Sequence, residues 1–213
     1  MSREITTLWL LRHAQSQWNH EGRWQGQADT SLSELGRQQA HRVGKRLRRF
    51  QIQRLISSDA RRALETAQIV GSYLNLTPTT HAGLRESDIG LWAGLTTAEI
   101  MAGFPDEWAA MNARQEVRRG GGETYGELRA RTLAAAQEVV AQFPGQTILL
   151  VSHGAAIRAL ISAALGLDLF TMHNLWIGSN TALSRLYYRE GHFHLDLHND
   201  TAHLETREHR YSV

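Results

Sequence analysis

Two short apolar runs in this chain each end in a histidine beside a small residue. Thr7-Leu8-Trp9-Leu10-Leu11 leads into Arg12-His13-Ala14, and Thr147-Ile148-Leu149-Leu150-Val151 leads into Ser152-His153-Gly154. A third run, Leu55-Ile56-Ser57-Ser58, leads into Asp59-Ala60-Arg61-Arg62. A lone histidine at a strand end is usually structural. Two such ends with a third that carries paired arginines change the reading, because ligands of open α/β sheets sit outside the carboxyl ends of the strands. The paired arginines also open a helical stretch, whose first N–H groups favour anions. Two imidazoles and several guanidiniums converging there, with no acidic cluster to hold a metal, describe a pocket for a phosphoryl group.

The elements that must position these groups follow from periodicity and capping. The three apolar runs are short and partly β-branched, as buried strands are. Ser33 is a fair N-cap for a helix reaching about Phe50, with Leu35, Val43 and Leu47 expected on its inner side. Residues 60–74 have helical spacing in Leu64, Ala67, Ile69 and Val70. Thr124 and Glu127 form a capping-box pair, opening a helix that must end before Pro144-Gly145. Gly154 to Leu165 reads as helix, with Gly166 as its stop. Ala182 to Tyr188 and His192 to Leu197 alternate around Glu190-Gly191, which predicts a hairpin. Strands alternating with helices predict an α/β, three-layer sandwich around a mostly parallel sheet flanked by helices. Residues 83–122 break that rhythm and read as a small lid insertion in a single domain of 213 residues.

Composition narrows the function classes. Every apolar run is interrupted before it could span a bilayer, and the first residues, Met1-Ser2-Arg3-Glu4-Ile5, do not read as a signal peptide. The chain has no cysteine, so disulfides, thiolate metal sites and cysteine nucleophiles are excluded. A cytoplasmic location is expected. The formal charge is +2, close to neutral. Arg42, Lys45, Arg46, Arg48 and Arg49 follow a helix face without interleaved aromatics, which suits a solvated face better than nucleic acid.

Arg12-His13-Ala14-Gln15-Ser16 resembles the signature of the histidine phosphatase superfamily, in its phosphoglycerate mutase-like branch. The similarity continues through Trp18-Asn19, Gly22-Arg23-Trp24-Gln25-Gly26, and Leu32-Ser33-Glu34-Leu35-Gly36-Arg37-Gln38-Gln39-Ala40. It resumes at Ser57-Ser58-Asp59, Arg62-Ala63 and Thr66-Ala67, then at Leu84-Arg85-Glu86 and Gly90-Leu91-Trp92-Ala93-Gly94. Val151-Ser152-His153-Gly154 and Asn199-Asp200-Thr201-Ala202-His203-Leu204 complete it. The pieces run in order along nearly the whole chain.

The resemblance implies a metal-independent and cofactor-independent phosphomonoesterase acting on a small phosphorylated metabolite. His13 would be the nucleophile, Arg12 and Arg62 would clamp the phosphoryl oxygens, and His153 would donate to them. Glu86 would protonate the leaving group and then activate water, although it could instead form a salt bridge with Arg85. Asn19 and Gln25 would hydrogen-bond a phosphoryl oxygen or a substrate hydroxyl, or simply order their loop. Candidate substrates are phosphoglycerates and their sugar esters, phosphoserine, sugar phosphates, and a nucleotide-like phosphate. A phosphoglycerate mutase with the same core is the alternative, disfavoured by the short stretch from Glu99 to Gly122. A degenerate phospho-ligand binding module is a third reading, against which the intact set of Arg12, His13, Arg62, Glu86 and His153 argues.

Two positions depart from the family pattern. Ala14 stands where Gly is usual, which matters only if the site needs positive φ. Asp88 stands where relatives often carry His, and is expected to face the leaving group. Trp92, Trp108 and Trp176 suit core or lid packing better than a pocket mouth. His192, His194, His198, His203 and His209 lack an acid cluster to make a metal site. Gly120-Gly121-Gly122 reads as a hinge before a helix, and the C-terminal hairpin and tail are a candidate surface for a homodimer.

Overall fold

The computed structural model describes residues 4–204. Met1, Ser2 and Arg3 of the N-terminal stretch and His209 of the histidine series lie outside them. In chain order the elements are β1 (Thr6–Arg12), α1 (Gln17–His20), α2 (Glu34–Leu47), β2 (Arg54–Ser57), α3 (Arg61–Leu74) and β3 (Thr79–Thr80). There follow α4 (Thr97–Gly103), α5 (Pro105–Asn112), α6 (Tyr125–Gln142), β4 (Thr147–Ser152), α7 (Gly154–Ala164), α8 (Leu169–Met172), β5 (Leu183–Arg189) and β6 (His192–Asp200). The six strands form one sheet in the order β3-β2-β4-β1-β5-β6. The first four are parallel, while β5 runs antiparallel to β1 and β6 antiparallel to β5. The expected architecture is therefore present.

Side-chain alternation along the central strands feeds both faces of the sheet. Leu8, Leu10, Ile148 and Leu150 pack against Ala136, Val139 and Val140 of α6 and Ile157 and Leu160 of α7. Trp9, Leu11, Leu149 and Val151 pack the other way, against Val43 and Leu47 of α2 and Ala63, Ala67 and Val70 of α3. Each fully buried Leu or Val contributes about 1.5–3 kcal/mol relative to exposure. Two continuous cores thus hold the sheet edge rigid.

The sequence signals for helix ends match the observed caps. Ser33 accepts from Gly36 N, and Thr124 with Glu127 closes a reciprocal capping box. The β5–β6 turn places Glu190 at φ 55° and Gly191 at φ 84°, the positive pair that a tight hairpin needs. Leu35 does not face inward; it is 47% exposed. The buried positions of α2 are Gly36, Ala40, Val43, Gly44 and Leu47, a helical stripe that Leu35 misses by one residue. Of the basic run at its end, Arg42, Lys45, Arg48 and Arg49 are exposed, while Arg46 is half-buried and ion-paired with Asp200.

Residues 83–122 contain two short helices and three 3-10 turns, with no strand. Ile89, Trp92 and Ile100 bury themselves there with Trp24, Phe104 and Trp108 packed around them. Trp92 and Trp108 are thus packing residues, while Trp176 is 73% exposed. The glycine triplet is not a hinge. A Cβ on Gly120 would lie 2.5 Å from Ile89 O, and one on Gly122 would lie 2.5 Å from Asp88 O. The triplet is instead a close crossing of two backbone segments.

Candidate active site

β1 and β4 are adjacent and parallel, and Arg12 pairs with Ser152 in register. This register puts His13 and His153 side by side at the carboxyl edge. Their ring centroids are 5.1 Å apart and the planes are tilted by 59°. β2 lies on the far side of β4 and brings Ser58 to the same edge.

His13 is 2% exposed, and its Nδ1 lies 2.7 Å from the Ala14 carbonyl oxygen. A carbonyl can only accept, so Nδ1 carries the proton and Nε2 presents a lone pair. Burial, reinforced by Arg62 and Arg12, holds the imidazole pKa well below its ordinary value, and the ring is neutral at pH 7. Ala14 itself is buried among Leu32 and Ala40 and is not a positive-φ residue. The departure from Gly at that position therefore costs no backbone strain.

His153 is fully buried and its Nε2 lies 2.8 Å from Ser58 Oγ. Ser58 Oγ also accepts from Ala60 N at 3.3 Å, which leaves its own proton available to be given to the imidazole. His153 then carries its hydrogen on Nδ1, a buried atom with no protein partner. Such a donor is suited to an incoming phosphoryl oxygen. Burial, then Arg62, keep this ring neutral as well.

Arg62 is fully buried at the start of α3, with Nη1 on Ala28 O at 2.7 Å and Nη2 on Gly26 O at 2.6 Å. Burial lowers its pKa to about 10, so it remains a cation. Arg12 donates from Nη1 to Ile177 O and Gly178 O. Each guanidinium is fixed by carbonyls, and each keeps an unpartnered buried Nε. Neither is neutralised by a carboxylate within ion-pairing distance among the described residues.

Glu86 does not pair with Arg85, which binds Asp59 instead. Its Oε1 accepts from Ala156 N at 3.0 Å and Ser87 N at 2.9 Å, and its Oε2 from Ala155 N at 3.2 Å. The first turn of α7 thus places this carboxylate on the cavity wall. Asn19 Oδ1 accepts from Ser16 N and Asn180 Nδ2, and Gln25 Oε1 accepts from Ser16 Oγ and Thr30 Oγ1. Both amides therefore have their NH₂ groups left to meet a ligand. Asp88, expected at the leaving group, is exposed and turns its Oδ1 to Gly90 N. Ser87 and Ile89 line the cavity in its place.

The cavity is about 340 Å³, which suits a metabolite. It is lined by Arg12, Arg23, Arg62, Arg119 and Arg158 against one carboxylate, Glu86. Arg119 and Arg158 were missed in the sequence. Arg119 is 2% exposed, stacks 4.1 Å over the Tyr125 ring and bonds Ser87 Oγ; Arg158 donates to Tyr125 Oη at 2.9 Å. Neither forms an ion pair among the described residues. The only sequence signal for Arg119 was a basic pair ahead of the glycine triplet, which also suits a surface, and Arg158 stands alone within a helical stretch. No group of three or more histidine or acidic side chains that could hold a metal occurs among the described residues.

The family model of the histidine phosphatase superfamily (branch 1) matches residues 8–201. The chain is 37% identical over 187 residues to a protein of Salmonella choleraesuis named as a probable phosphoglycerate mutase, covering 86% of this chain and 85% of that one. A mycobacterial glucosyl-3-phosphoglycerate phosphatase superposes with a TM-score of 0.84 at 34% identity, over 92% of this chain and all of that one. The phosphoserine phosphatase of Entamoeba histolytica, solved with 3-phosphoglyceric acid, gives a TM-score of 0.85 at 28% identity, over 94% and 100%.

Proposed function

The chain belongs to the histidine phosphatase superfamily, and from that premise we propose that it hydrolyses small phosphate monoesters through a phosphohistidine on Nε2 of His13. The observation that carries this reading is the neutral, buried His13 whose Nδ1 is tied to Ala14 O, beside two guanidiniums that form no ion pair among the described residues. Nε2 attacks phosphorus and the ester P–O bond breaks, with Glu86 as the general acid that delivers a proton to the departing alkoxide. Glu86, now a carboxylate, takes a proton from water as that water attacks phosphorus. The P–N bond breaks and inorganic phosphate leaves. Arg12, Arg62 and His153 Nδ1 stabilise the charge that develops on the equatorial oxygens in both steps. Neither step calls for a metal or cofactor.

Arg119, Tyr125 and Arg158 support a substrate with a second anionic group, as in a phosphoglycerate or its sugar ester. A buried cation without a protein counterion is costly unless a ligand supplies one. Residues 83–122 supply Glu86, Ser87, Ile89 and Arg119 to the cavity wall, and we read them as a lid on a single domain. No helix among the described residues is long and apolar enough to cross a membrane, and a cytoplasmic location is part of this reading.

The test is His13→Ala together with phosphate mapping. The variant should lose turnover, and wild-type enzyme quenched in alkaline denaturant should carry phosphate on His13. Activity in EDTA should be unchanged. Phosphate on another residue, or near-normal turnover by the variant, overturns the mechanism. A second reading, mutase activity, is favoured by the names of the Salmonella relatives. Incubation with 3-phosphoglycerate followed by phosphorus NMR separates the two: inorganic phosphate marks hydrolysis, and 2-phosphoglycerate marks isomerisation.

A further inference from the structure

The backbone that carries the nucleophile is held by a strap just before β5. Asn180 Nδ2 donates to His13 O at 3.0 Å and to Asn19 Oδ1 at 3.2 Å. Thr181 N donates to Arg12 O at 3.1 Å and to His13 O at 3.3 Å. Two consecutive residues therefore fix the carbonyls of both Arg12 and His13.

Thr181 is fully buried and sits at φ 60°. A β-branched residue is a genuine outlier in that region, because its Cβ crowds the neighbouring carbonyl. Such a conformation persists only where surrounding contacts over-determine it, and it clusters at functional sites. Two contacts from the hydroxyl do this here. Thr181 Oγ1 donates to Asn180 O at 2.7 Å, and it lies 2.9 Å from His203 Nε2. With the hydroxyl proton committed to the carbonyl, the imidazole Nε2–H is the donor in the second contact.

His203 is delivered by the segment after β6. Asp200 accepts from Ala202 N at 2.9 Å and pairs with Arg46 of α2, which clips this segment onto the helix. Burial, with Arg46 and Arg42 nearby, lowers the His203 pKa to about 4 against the opposing pull of Asp200, so the ring is neutral at pH 7. His203 does not line the cavity.

We propose that His203 is a positioning residue for His13: by donating to Thr181 it locks the strained strap that fixes the carbonyls of Arg12 and His13. The proposal rests on the reading of His13 as the nucleophile. A displacement of about 1 Å at a reacting group can cost on the order of a hundredfold in rate, so a loosened strap should register in phosphoryl transfer before it registers in substrate affinity.

The experiment compares wild type with His203→Ala, His203→Gln, Thr181→Gly and His13→Ala, using p-nitrophenyl phosphate in rapid-quench and steady-state assays. His203→Ala should slow phosphorylation of His13 and lower kcat by about tenfold or more, with KM within about threefold. His203→Gln, whose amide N–H reaches as far as the imidazole Nε2, should recover most of that loss. Thr181→Gly suits the backbone angle but lacks the hydroxyl, and should lose kcat like His203→Ala. Folded His203→Ala with kcat within about twofold of wild type, or a loss expressed in KM alone, overturns the proposal. So does His203→Gln no better than His203→Ala. If His203→Ala fails to fold, Thr181→Gly decides, and full kcat there overturns the latch. Near-normal activity of His13→Ala would instead overturn the nucleophile reading beneath it.

Discussion

The carboxylate of Glu86 rests on the first turn of α7, with Oε1 3.0 Å from Ala156 N. Its neighbour Arg85 turns the other way to Asp59. Two adjacent residues of opposite charge thus serve different parts of the fold, and Glu86 faces the cavity with a fixed orientation. Glu86→Gln should therefore separate substrates by leaving group. Alkyl phosphates need a proton donor and should lose about a hundred- to ten-thousand-fold, whereas p-nitrophenyl phosphate should lose far less in phosphorylation of His13. Slowed dephosphorylation should also give the variant a burst with the aryl substrate. The comparison must be between substrates, since an amide N–H facing a helix N–H also costs some stability. Equal losses on both substrates would move the acid role to another group.

Arg158 is half-buried in the cavity and unpaired with any described carboxylate. Arg158→Met keeps most of the stem and removes the charge. The KM for 3-phosphoglycerate should rise by about tenfold to a hundredfold, the worth of a charged hydrogen bond. The KM for p-nitrophenyl phosphate, which has no second anion, should stay within about twofold. A parallel rise for both substrates would show that Arg158 serves the phosphoryl group or the fold.

His13, His153 and His203 all have pKa values lowered by burial, His203 to about 4. Their native forms bind fewer protons than the unfolded chain between the ordinary histidine pKa near 6.5 and their folded values. Stability should be full above about pH 6.5 and fall as pH drops from there toward 4. Urea midpoints at pH 7.5, 5.5 and 4.5 would show this, and His203→Gln should flatten the slope. For activity the same shift means that protonation of His13 near pH 6.5 should not be seen in kcat/KM. An acid limb with an apparent pKa of 6.5 would contradict the neutral, buried nucleophile.

Gly120 has φ 57° and presses on the backbone of residues 89–92. Gly120→Ala should cost about 1–3 kcal/mol from the backbone conformation alone, with more from the contact against Ile89 O. Chemical denaturation would measure it. A stability change under about 0.5 kcal/mol would mean that the crossing yields easily, as a hinge would.

Much of the fold was legible because its signals are local. The short apolar runs at 7–11 and 147–151, Ser33 before Gly36, Thr124 before Glu127 and the Glu190-Gly191 turn each act within a few residues. Their physics does not depend on the rest of the chain. The strand-end histidines were legible for a related reason, since a parallel register carries neighbouring strand ends to one edge whatever surrounds them.

The placement of Leu35 was misread because one residue of helical phase separates the stripe through Gly36 and Ala40 from its neighbour. The glycine triplet was read as a hinge because its close partner, residues 88–92, lies some thirty residues away in sequence. Asp88 was expected at the leaving group, yet its side chain caps the turn at Gly90.

The sequence by itself determined the layers, the sheet edge and the residue types that gather there, because short-range geometry and strand register suffice for these. Tertiary structure alone decided which groups are charged without a partner and which carbonyls hold the nucleophile. Glu86 meets α7 across about seventy residues, Asn180 meets His13 across 167, and His203 reaches Thr181 only after β6 turns back. Burial and pairing are properties of such long-range meetings. No local pattern records whether Arg119 will lie on Tyr125 or in water, and that difference makes it part of a site.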